Sequence, residues 1–221
     1  MTIPLNNNTQ AVMLPGKAGV LECAYDLPQN TTMLKGVAVI AHPNPQQGGT
    51  MDNKVVQTIA RALLQLGYGT WRFNYRGVSL SQGSWDGGKG ETDDMLTVIQ
   101  HARHLPESKG TSLVLAGFSF GGYVTAKAAQ QLAQMNQPAQ QLILVGLAAG
   151  MYPIPDVPPD TLLIHGEQDE LISLDILFNW CRPQQLPVTV IPGASHFFHG
   201  HLPLLKEIIL KHQLSSTRNP A

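Results

Sequence analysis

Short apolar runs alternate with amphipathic, helix-like segments along most of the chain. The middle runs, such as 112–118 and 141–148, are nearly continuous in apolar residues. Such runs are typical of parallel strands that are buried on both faces of a sheet. The repeated strand–helix order therefore predicts an α/β fold, in which a doubly wound, mostly parallel sheet is flanked by helices and connected by right-handed crossovers.

The predicted elements account for most of the sequence. Strands are expected at 20–27, 35–43, 69–76, 112–118, 141–148, 161–166 and 187–193, and helices at about 51–66, 92–105, 121–136, 171–182 and 201–213. Asp52 stands where an N-cap is expected, and Gly67 follows the first helix as a C-terminal glycine. No repeat or interdomain linker interrupts this order, and 221 residues can bury one sizeable core. We expect a single domain over 1–221, with 1–19 as an N-terminal extension or edge strand and 214–221 as a frayed tail.

Charge and cysteine content narrow the classes of partner and compartment. The net charge is −1 and no basic block is present, which argues against nucleic acid or an anionic membrane as the partner. No apolar run reaches the roughly 20 residues of a membrane span, and the first residues show no secretory signal. Cys23 and Cys181 lack metal-ligand spacing, which favours buried thiols in a reducing cytoplasm. We expect a cytoplasmic monomer or small homo-oligomer that acts on a small molecule.

The sequence GFSFG at residues 117–121 lies where an apolar strand-like run becomes helical. It matches G-x-S-x-G, the nucleophile elbow, in which a serine sits on a tight turn from a strand into a helix. Ligands of doubly wound sheets bind beyond the carboxyl ends of the strands, which is where this turn places the Ser119 hydroxyl. The alternative is a glycine-rich turn whose serine only caps the helix. The flanking strand and helix favour Ser119 as a nucleophile.

A nucleophilic serine needs a base, and the base needs an acid that orients it. Asp169 and His196 each follow a predicted strand, in the loops HGEQDELI and GASHFF. The chain order Ser119, Asp169, His196 is that of the α/β-hydrolase triad. Glu167 and Glu170 stand beside Asp169 and are the alternatives for the acid.

Three histidines, His196, His199 and His201, share one loop and raise the alternative of a metal site. No carboxylate or cysteine completes a ligand set within this loop, whereas a catalytic zinc site needs three well-placed ligands and an open position. We therefore expect no metal and no cofactor.

Five stretches together resemble the α/β-hydrolases, over about residues 20–213. They are AHPNPQQGGTMDNKVV, FNYRGVSLSQGSWDGGKGETDD, GFSFGG, HGEQDELI and GASHFF. They are similar to the small, lidless bacterial serine hydrolases of the dienelactone-hydrolase-like group. This resemblance implies the α/β-hydrolase fold without a cap domain, and it puts His42 and His165 at positions that usually shape loops. It is specific for the fold but says little about the substrate.

Two main-chain N–H groups are expected to form an oxyanion hole. One belongs to Phe120, the residue after the nucleophile. The other is expected in the sequence HPNP at residues 42–45, where both prolines lack an N–H. Asn44 is then the donor after the His-Pro pair, at a position that resembles the family's His-Gly-x motif. The alternative donor is Gln46.

The segment between the strands at 141–148 and 161–166 is only about a dozen residues long, which leaves no room for the cap found in lidded lipases. We therefore expect an open site whose small acyl pocket lies between the loops 44–50, 77–90 and 149–155. The side chains expected to line this pocket are Met151, Tyr152, Trp85 and Phe197.

The expected activity is hydrolysis of a carboxylic ester or thioester of a small acyl substrate. Ser119 attacks the acyl carbonyl, His196 takes its proton and Asp169 orients the imidazole. One alternative is a small peptidase or amidase on the same triad, and another is a non-catalytic binding protein on a hydrolase scaffold. Loss of a triad residue would mark a binding protein, and none is lost here.

Overall fold

Strands and helices alternate in the computed structural model, which describes residues 2–29 and 33–216. The strands are β1 (Thr9–Gly16), β2 (Gly19–Asp26), β3 (Gly36–Ala41), β4 (Tyr68–Phe73), β5 (Ser112–Phe118), β6 (Gln141–Val145), β7 (Leu162–Gly166) and β8 (Val188–Ile191). The helices are α1 (Lys54–Gln65), α2 (Lys89–His104), α3 (Phe120–Gln134), α4 (Leu174–Cys181) and α5 (Leu202–Ser216). The predicted strands and helices are all present, and their bounds differ from the predicted ones by only a few residues.

The described residues form one eight-stranded sheet in the order β1-β2-β4-β3-β5-β6-β7-β8. Strand β2 pairs antiparallel with β1 and β4, whereas the other pairs are parallel. The prediction of a doubly wound, mostly parallel sheet is therefore confirmed. Within residues 1–19, β1 forms an edge strand. Of the predicted tail 214–221, α5 includes the part up to Ser216, and 217–221 lie outside the described residues.

Alternate side chains of the central strands pack on opposite faces of the sheet. In β3, Val37 and Val39 join the apolar layer formed with α2 and α3, whereas Ala38 and Ile40 join the layer formed with α1 and α5. Both layers are buried, so a central strand must be apolar at every position. This explains the nearly continuous apolar runs of the sequence.

Helix α1 begins after Asn53, whose side-chain oxygen accepts a hydrogen bond from the N–H of Val55. The prediction that Asp52 caps this helix is wrong. Its carboxylate accepts a hydrogen bond from the Arg72 guanidinium at 2.9 Å, and Arg72 also pairs with Asp26 at 3.0 Å. Because the Arg72 side chain is fully buried, its charge must be paired, and this holds Asp52 away from the helix end.

The segment 146–161 joins β6 to β7 without a helix, and its one bridge joins Ala149 to Tyr152. No cap domain is therefore inserted at this point, and the carboxyl ends of β5, β7 and β8 lie along the same edge of the sheet. Among the described residues, no helix combines the length and the apolar character needed to cross a membrane.

Candidate active site

Ser119 occupies the sharp turn between the end of β5 and the start of α3. Its backbone has φ 56° and ψ −121°, a conformation that costs a residue with a side chain on the order of 1–3 kcal/mol. Two hydrogen bonds of 2.9 Å hold this turn: the Ser119 N–H donates to the Val145 carbonyl, and the Gly122 N–H donates to the Ser119 carbonyl. The strained turn fixes the Ser119 hydroxyl beyond the carboxyl end of the sheet.

The elbow glycines permit two close approaches of the backbone. A Cβ on Gly117 would lie 2.2 Å from the Gly121 carbonyl oxygen, and a Cβ on Gly121 would lie 2.3 Å from the Ala41 carbonyl oxygen. Neither distance is sterically allowed, so only glycine fits without a backbone shift. Gly121 therefore packs the elbow directly against the end of β3, where the loop that carries Asn44 begins.

A chain of two hydrogen bonds joins the three side chains that were predicted as a triad. The Nε2 atom of His196 lies 2.9 Å from Ser119 Oγ, and its Nδ1 atom lies 2.7 Å from Asp169 Oδ2. Since a carboxylate only accepts, Nδ1 carries the proton and Nε2 presents its lone pair to the serine hydroxyl. The His196 side chain is only 2% exposed. This geometry is that of a base placed to accept the Ser119 proton.

Asp169 stays ionised because its hydrogen bonds outweigh the effect of its burial. Burial raises the pKa of this carboxyl. Hydrogen bonds from His196 and from the Ile172 N–H lower the pKa by more than burial raises it, so the net pKa lies below its usual value. Its Oδ1 atom accepts from the N–H groups of Leu171 and Ile172 at 3.0 and 2.8 Å. One carboxylate oxygen is thus held by the loop backbone, and the other is left for the imidazole.

The two alternative acids, Glu167 and Glu170, both contact the backbone of the histidine loop instead of the imidazole. Glu167 Oε2 accepts from the Gly193 N–H at 2.8 Å, and Glu170 Oε2 accepts from the His196 N–H at 3.1 Å. These two hydrogen bonds join the loop after β7 to the loop after β8. Sequence reasoning did not foresee this role, because it depends on contacts between residues that are 26 positions apart.

His165 supports the acid loop from the end of β7. Its Nε2 donates to the Ile172 carbonyl at 2.8 Å and lies 3.3 Å from Asp169 Oδ2. Burial lowers the pKa of this histidine, so it is uncharged at neutral pH. The resemblance to the α/β-hydrolases had put this histidine at a position that usually shapes a loop.

The N–H groups of Phe120 and Asn44 are available for an oxyanion. Phe120 is the first residue of α3, where the helix N-terminus presents unpaired N–H groups and favours negative charge. Among the described residues, neither N–H donates a hydrogen bond. The alternative donor, the N–H of Gln46, is already bound to Asn44 Oδ1 at 2.8 Å. Asn44 is therefore the donor that the geometry leaves free in this loop.

A cavity of about 220 Å³ opens onto Ser119 and His196. Its lining is Pro43, Asn44, Gln47, Gly48, Gly49, Asn53, Ser119, His196 and Phe197. Of the four predicted pocket side chains, only Phe197 lines this cavity within the described part of the chain. Trp85 lines a neighbouring cavity of about 370 Å³, and the Tyr152 hydroxyl accepts a hydrogen bond from Asn44 Nδ2 at 3.3 Å. Met151 is 57% exposed and lines neither cavity.

The structure does not bring the histidine-rich loop together as a metal site. His196 is committed to Ser119 and Asp169, and the His201 ring contacts the carbonyl of His199 at 3.0 Å. In the part of the chain that the structure describes, no three histidine, cysteine, aspartate or glutamate side chains are grouped to hold a metal ion.

Comparison with known proteins shows that the chain is similar to serine hydrolases. A family model described as serine aminopeptidase, S33, matches residues 35–159. XC6422 from Xanthomonas campestris, described as an α/β serine hydrolase without lid, is 36% identical; the match covers 100% of this chain and 99% of that chain, with a TM-score of 0.86. An alpha-beta serine hydrolase homologue from Coxiella burnetii is 35% identical over 96% of this chain and 98% of its own, with a TM-score of 0.83.

A third solved structure is more distant and carries information about the fold alone. Dienelactone hydrolase from Anabaena variabilis is 21% identical, and the match covers 95% of this chain and 99% of that chain with a TM-score of 0.69. The two more similar structures extend over nearly the whole chain. The match to XC6422 covers the whole chain and therefore includes the loops that carry Asp169 and His196, which lie outside the range of the family model.

Proposed function

The chain belongs to the α/β-hydrolase family described as serine aminopeptidase, S33, and we propose that it hydrolyses a carboxylic ester or thioester of a small acyl substrate through an acyl-enzyme on Ser119. The observation that supports this proposal is the hydrogen-bonded chain from Ser119 through His196 to Asp169. It lies beside a cavity lined by Asn44, whose N–H, like that of Phe120, donates no hydrogen bond among the described residues. Nucleophile, base and oxyanion donors are the parts that acyl transfer requires.

In the acylation step, Ser119 Oγ attacks the acyl carbonyl carbon while its proton passes to His196 Nε2. The carbonyl oxygen takes the electron pair of the broken π bond and becomes an oxyanion. Asp169 holds the imidazole by Nδ1 and stabilises the imidazolium that forms. The Phe120 and Asn44 N–H groups donate to the oxyanion, whose charge develops only in the transition state.

The tetrahedral intermediate collapses when the bond to the leaving group breaks. His196 Nε2 returns its proton to the departing alcohol or thiol, and the acyl group stays on Ser119 as an ester. A water molecule then enters through the open cavity, gives a proton to His196 Nε2 and attacks the acyl carbon. Breakdown of the second intermediate releases the carboxylic acid and restores the Ser119 hydroxyl.

The cavity supports an ester or thioester over a peptide with a free amino terminus. An aminopeptidase needs a carboxylate that pairs with the substrate ammonium group, because a buried charge must be compensated. The described residues that line the cavity of about 220 Å³ include no aspartate or glutamate. The small volume of this cavity suits a short acyl group. A peptidase or amidase on the same triad stays the second candidate.

The two cysteines support the proposal of a reducing compartment. Both Cys23 and Cys181 are free and buried, and burial raises the pKa of the Cys181 thiol to about 11. Such thiols are unreactive and need no oxidising environment. We place the activity in a reducing cytoplasm, on a small-molecule substrate, with neither cofactor nor metal.

A substrate panel tests this proposal. The purified protein is offered p-nitrophenyl esters of increasing acyl length, acyl-CoA thioesters and aminoacyl anilides. We expect the highest kcat/KM for a short-chain ester or thioester, and no jump in rate when a long-chain substrate passes its micellar threshold. Faster cleavage of aminoacyl anilides than of every ester and thioester would favour the peptidase candidate. A wild-type protein that cleaves none of them and is not labelled by a fluorophosphonate would exclude a serine hydrolase.

A further inference from the structure

His42 is a fully buried histidine that follows β3 and takes no part in the chain from Ser119 to Asp169. Its ring makes two hydrogen bonds. The Nδ1 atom lies 2.7 Å from the Pro43 carbonyl oxygen, and the Nε2 atom lies 3.2 Å from the main-chain nitrogen of Tyr75. The Tyr75 hydroxyl in turn donates to the His42 carbonyl at 3.2 Å. Buried polar side chains are normally hydrogen-bonded, and both ring nitrogens of His42 have a partner.

The two partners determine where the ring proton lies. A carbonyl oxygen only accepts, so Nδ1 must carry the proton; an N–H only donates, so Nε2 must present its lone pair. The ring is therefore the neutral Nδ1–H tautomer. Burial lowers the pKa of His42 to about 3, in agreement with a ring that stays neutral at physiological pH.

The carbonyl that His42 holds belongs to the peptide group that carries the Asn44 N–H. This peptide bond is trans, so its C=O and its N–H point to opposite sides of one plane. A hydrogen bond that fixes the direction of the Pro43 oxygen therefore fixes the direction of the Asn44 N–H. Among the described residues, His42 is the only hydrogen-bond donor to that oxygen.

The rest of the turn is held on the far side of Asn44. The Asn44 carbonyl accepts from the N–H groups of Gln47 and Gly49, at 3.1 and 3.0 Å. These bonds order the short 3₁₀ turn at Pro45–Gln47, but none of them is made to the Pro43 carbonyl. The Gly49 backbone packs close to that carbonyl, and His42 supplies its hydrogen bond. Donation to a carbonyl also polarises its peptide group, which makes the N–H of the same group a stronger donor.

We infer that His42 is a positioning residue of the oxyanion hole: its imidazole orients and polarises the Pro43–Asn44 peptide so that the Asn44 N–H faces the oxyanion formed at Ser119. This inference rests on the proposed function and deepens it. The histidine touches neither substrate nor nucleophile, and it acts through the peptide that it holds.

Two variants separate the two hydrogen bonds of the ring. In His42→Asn, the amide nitrogen takes the place of Nδ1 and can still donate to the Pro43 carbonyl, but nothing accepts from the Tyr75 N–H. In His42→Gln, the amide oxygen takes the place of Nε2 and can accept from Tyr75, but the donor to Pro43 is lost. Both variants remove the ring and one of its bonds, so they are matched controls for stability.

The expected result is a difference in turnover between the two variants. Loss of one oxyanion donor costs about 10²–10³ in kcat, so misorientation of the Asn44 N–H in His42→Gln is expected to lower kcat by about 10–100-fold. The KM should change by no more than about three-fold, because the oxyanion forms only in the transition state. The variant His42→Asn should retain about ten-fold more turnover than His42→Gln. Equal losses in the two variants, with wild-type protein active, would overturn the inference and leave the proposed function intact.

Nitrogen-15 NMR of the wild-type protein decides the case if the variants do not fold. The His42 ring should give one protonated and one unprotonated nitrogen, with the proton on Nδ1 at neutral pH. A proton on Nε2 would mean that the ring cannot hold the Pro43 carbonyl, and it would overturn the inference. Fluorophosphonate labelling of Ser119 in wild type is measured first, since absence of labelling refutes the proposed function and this inference together.

Discussion

The two sides of the proposed active site, one for acid–base chemistry and one for binding the oxyanion, are built from different parts of the chain. The acid–base side consists of side chains: His196 lies between Ser119 and Asp169, with distances of 2.9 and 2.7 Å. The oxyanion side consists of main-chain N–H groups, from Phe120 at the start of α3 and Asn44 after β3. One side depends on which residues are present, and the other depends on where the backbone is held.

This difference determines how each side can be altered. A side chain of the acid–base group can be removed by one substitution, whereas a main-chain N–H survives any substitution except proline. Apart from proline substitutions, the oxyanion side can therefore be disturbed only through its supports. The structure offers two of them, the close packing of Gly121 on Ala41 and the hydrogen bond from His42 to Pro43.

The largest effect is expected when the nucleophile is removed. Ser119→Ala should lower kcat by up to about 10⁶-fold and abolish labelling by a fluorophosphonate, because no other group can form the acyl-enzyme. The oxyanion side stays intact, so the residual rate measures what that side does alone. Ser84→Ala, at an exposed serine outside the Ser119 cavity, is the control and should label normally. An adduct that maps to any serine other than Ser119 would refute the assignment.

The acid should matter less than the nucleophile but more than its two acidic neighbours. By analogy with other triads, Asp169→Asn should lower kcat by about 10⁴-fold, because an amide can donate to Nδ1 and so favour the wrong tautomer of His196. Glu170→Gln keeps a group that accepts from the His196 N–H and should cost at most about ten-fold. Rates for both variants at pH 7 test this order. A larger loss in Glu170→Gln than in Asp169→Asn would make Glu170 the acid.

A substitution at Gly121 should disturb the oxyanion side without changing any side chain of the acid–base side. The Cβ of Gly121→Ala would lie 2.3 Å from the Ala41 carbonyl oxygen, so the end of β3 must shift. We expect kcat to fall by about 100-fold, comparable to loss of one oxyanion donor. The free energy of unfolding, measured in urea, should fall by about 1–3 kcal/mol.

Gly122→Ala is the matched control for that substitution. Its Cβ would meet the end of the Leu147 side chain at 2.7 Å, and a side chain can move aside where a backbone carbonyl cannot. The control should therefore lose less activity and less stability. If both variants lose activity alike, the contact between Gly121 and β3 is not what aligns the oxyanion side.

The smallest effect concerns two buried histidines, His42 and His165, and the dependence of the free energy of unfolding on pH. Burial lowers the pKa of His42 to about 3 and also lowers that of His165, so both are neutral in the folded protein. Below about pH 6.5 the unfolded chain binds protons that the folded protein does not, and the free energy of unfolding decreases as the pH falls. This window extends from about pH 6.5 towards pH 3 for His42.

Urea unfolding at a series of pH values measures this decrease. Each histidine that stays neutral contributes a slope of at most about 1.4 kcal/mol per pH unit. His42→Asn has no titrating group at that position, so its stability should depend less steeply on pH between about 4 and 6. An unchanged slope would mean that His42 is protonated as readily in the folded protein as in the unfolded chain.

The sequence predicted the side-chain half of the site better than the backbone half. Ser119, Asp169 and His196 were identified from their residue types, their order and their places after strands, and the structure brings them within hydrogen-bond distance. Their catalytic roles stay predictions. Strand positions were predictable for a similar reason, since burial on both faces leaves a continuous apolar pattern.

The predictions failed where a contact joins residues that are distant in the sequence. Asp52 was expected to cap α1, but its partner is Arg72, 20 residues away. Trp85 was expected in the acyl pocket, yet its ring packs against that of Phe120, with the centroids 4.9 Å apart. The hydrogen bond that His42 Nε2 accepts from the Tyr75 N–H, 33 residues away, had no signature in the sequence. Such features depend on how the loops close over one another, which no local pattern records.

His196, the proposed base, lies in the loop after β8, which is an edge strand of the sheet. This position has a consequence for how activity is lost on heating. β8 has only four residues, pairs on one side with β7 and is mostly half-buried, whereas Ser119 follows the central strand β5. Short edge strands open locally at a lower free energy than central ones. We expect amide hydrogens of β8 to exchange faster than those of β5. Loss of activity on heating should then begin below the melting temperature, because local opening of β8 separates His196 from Ser119 while β5 is still folded.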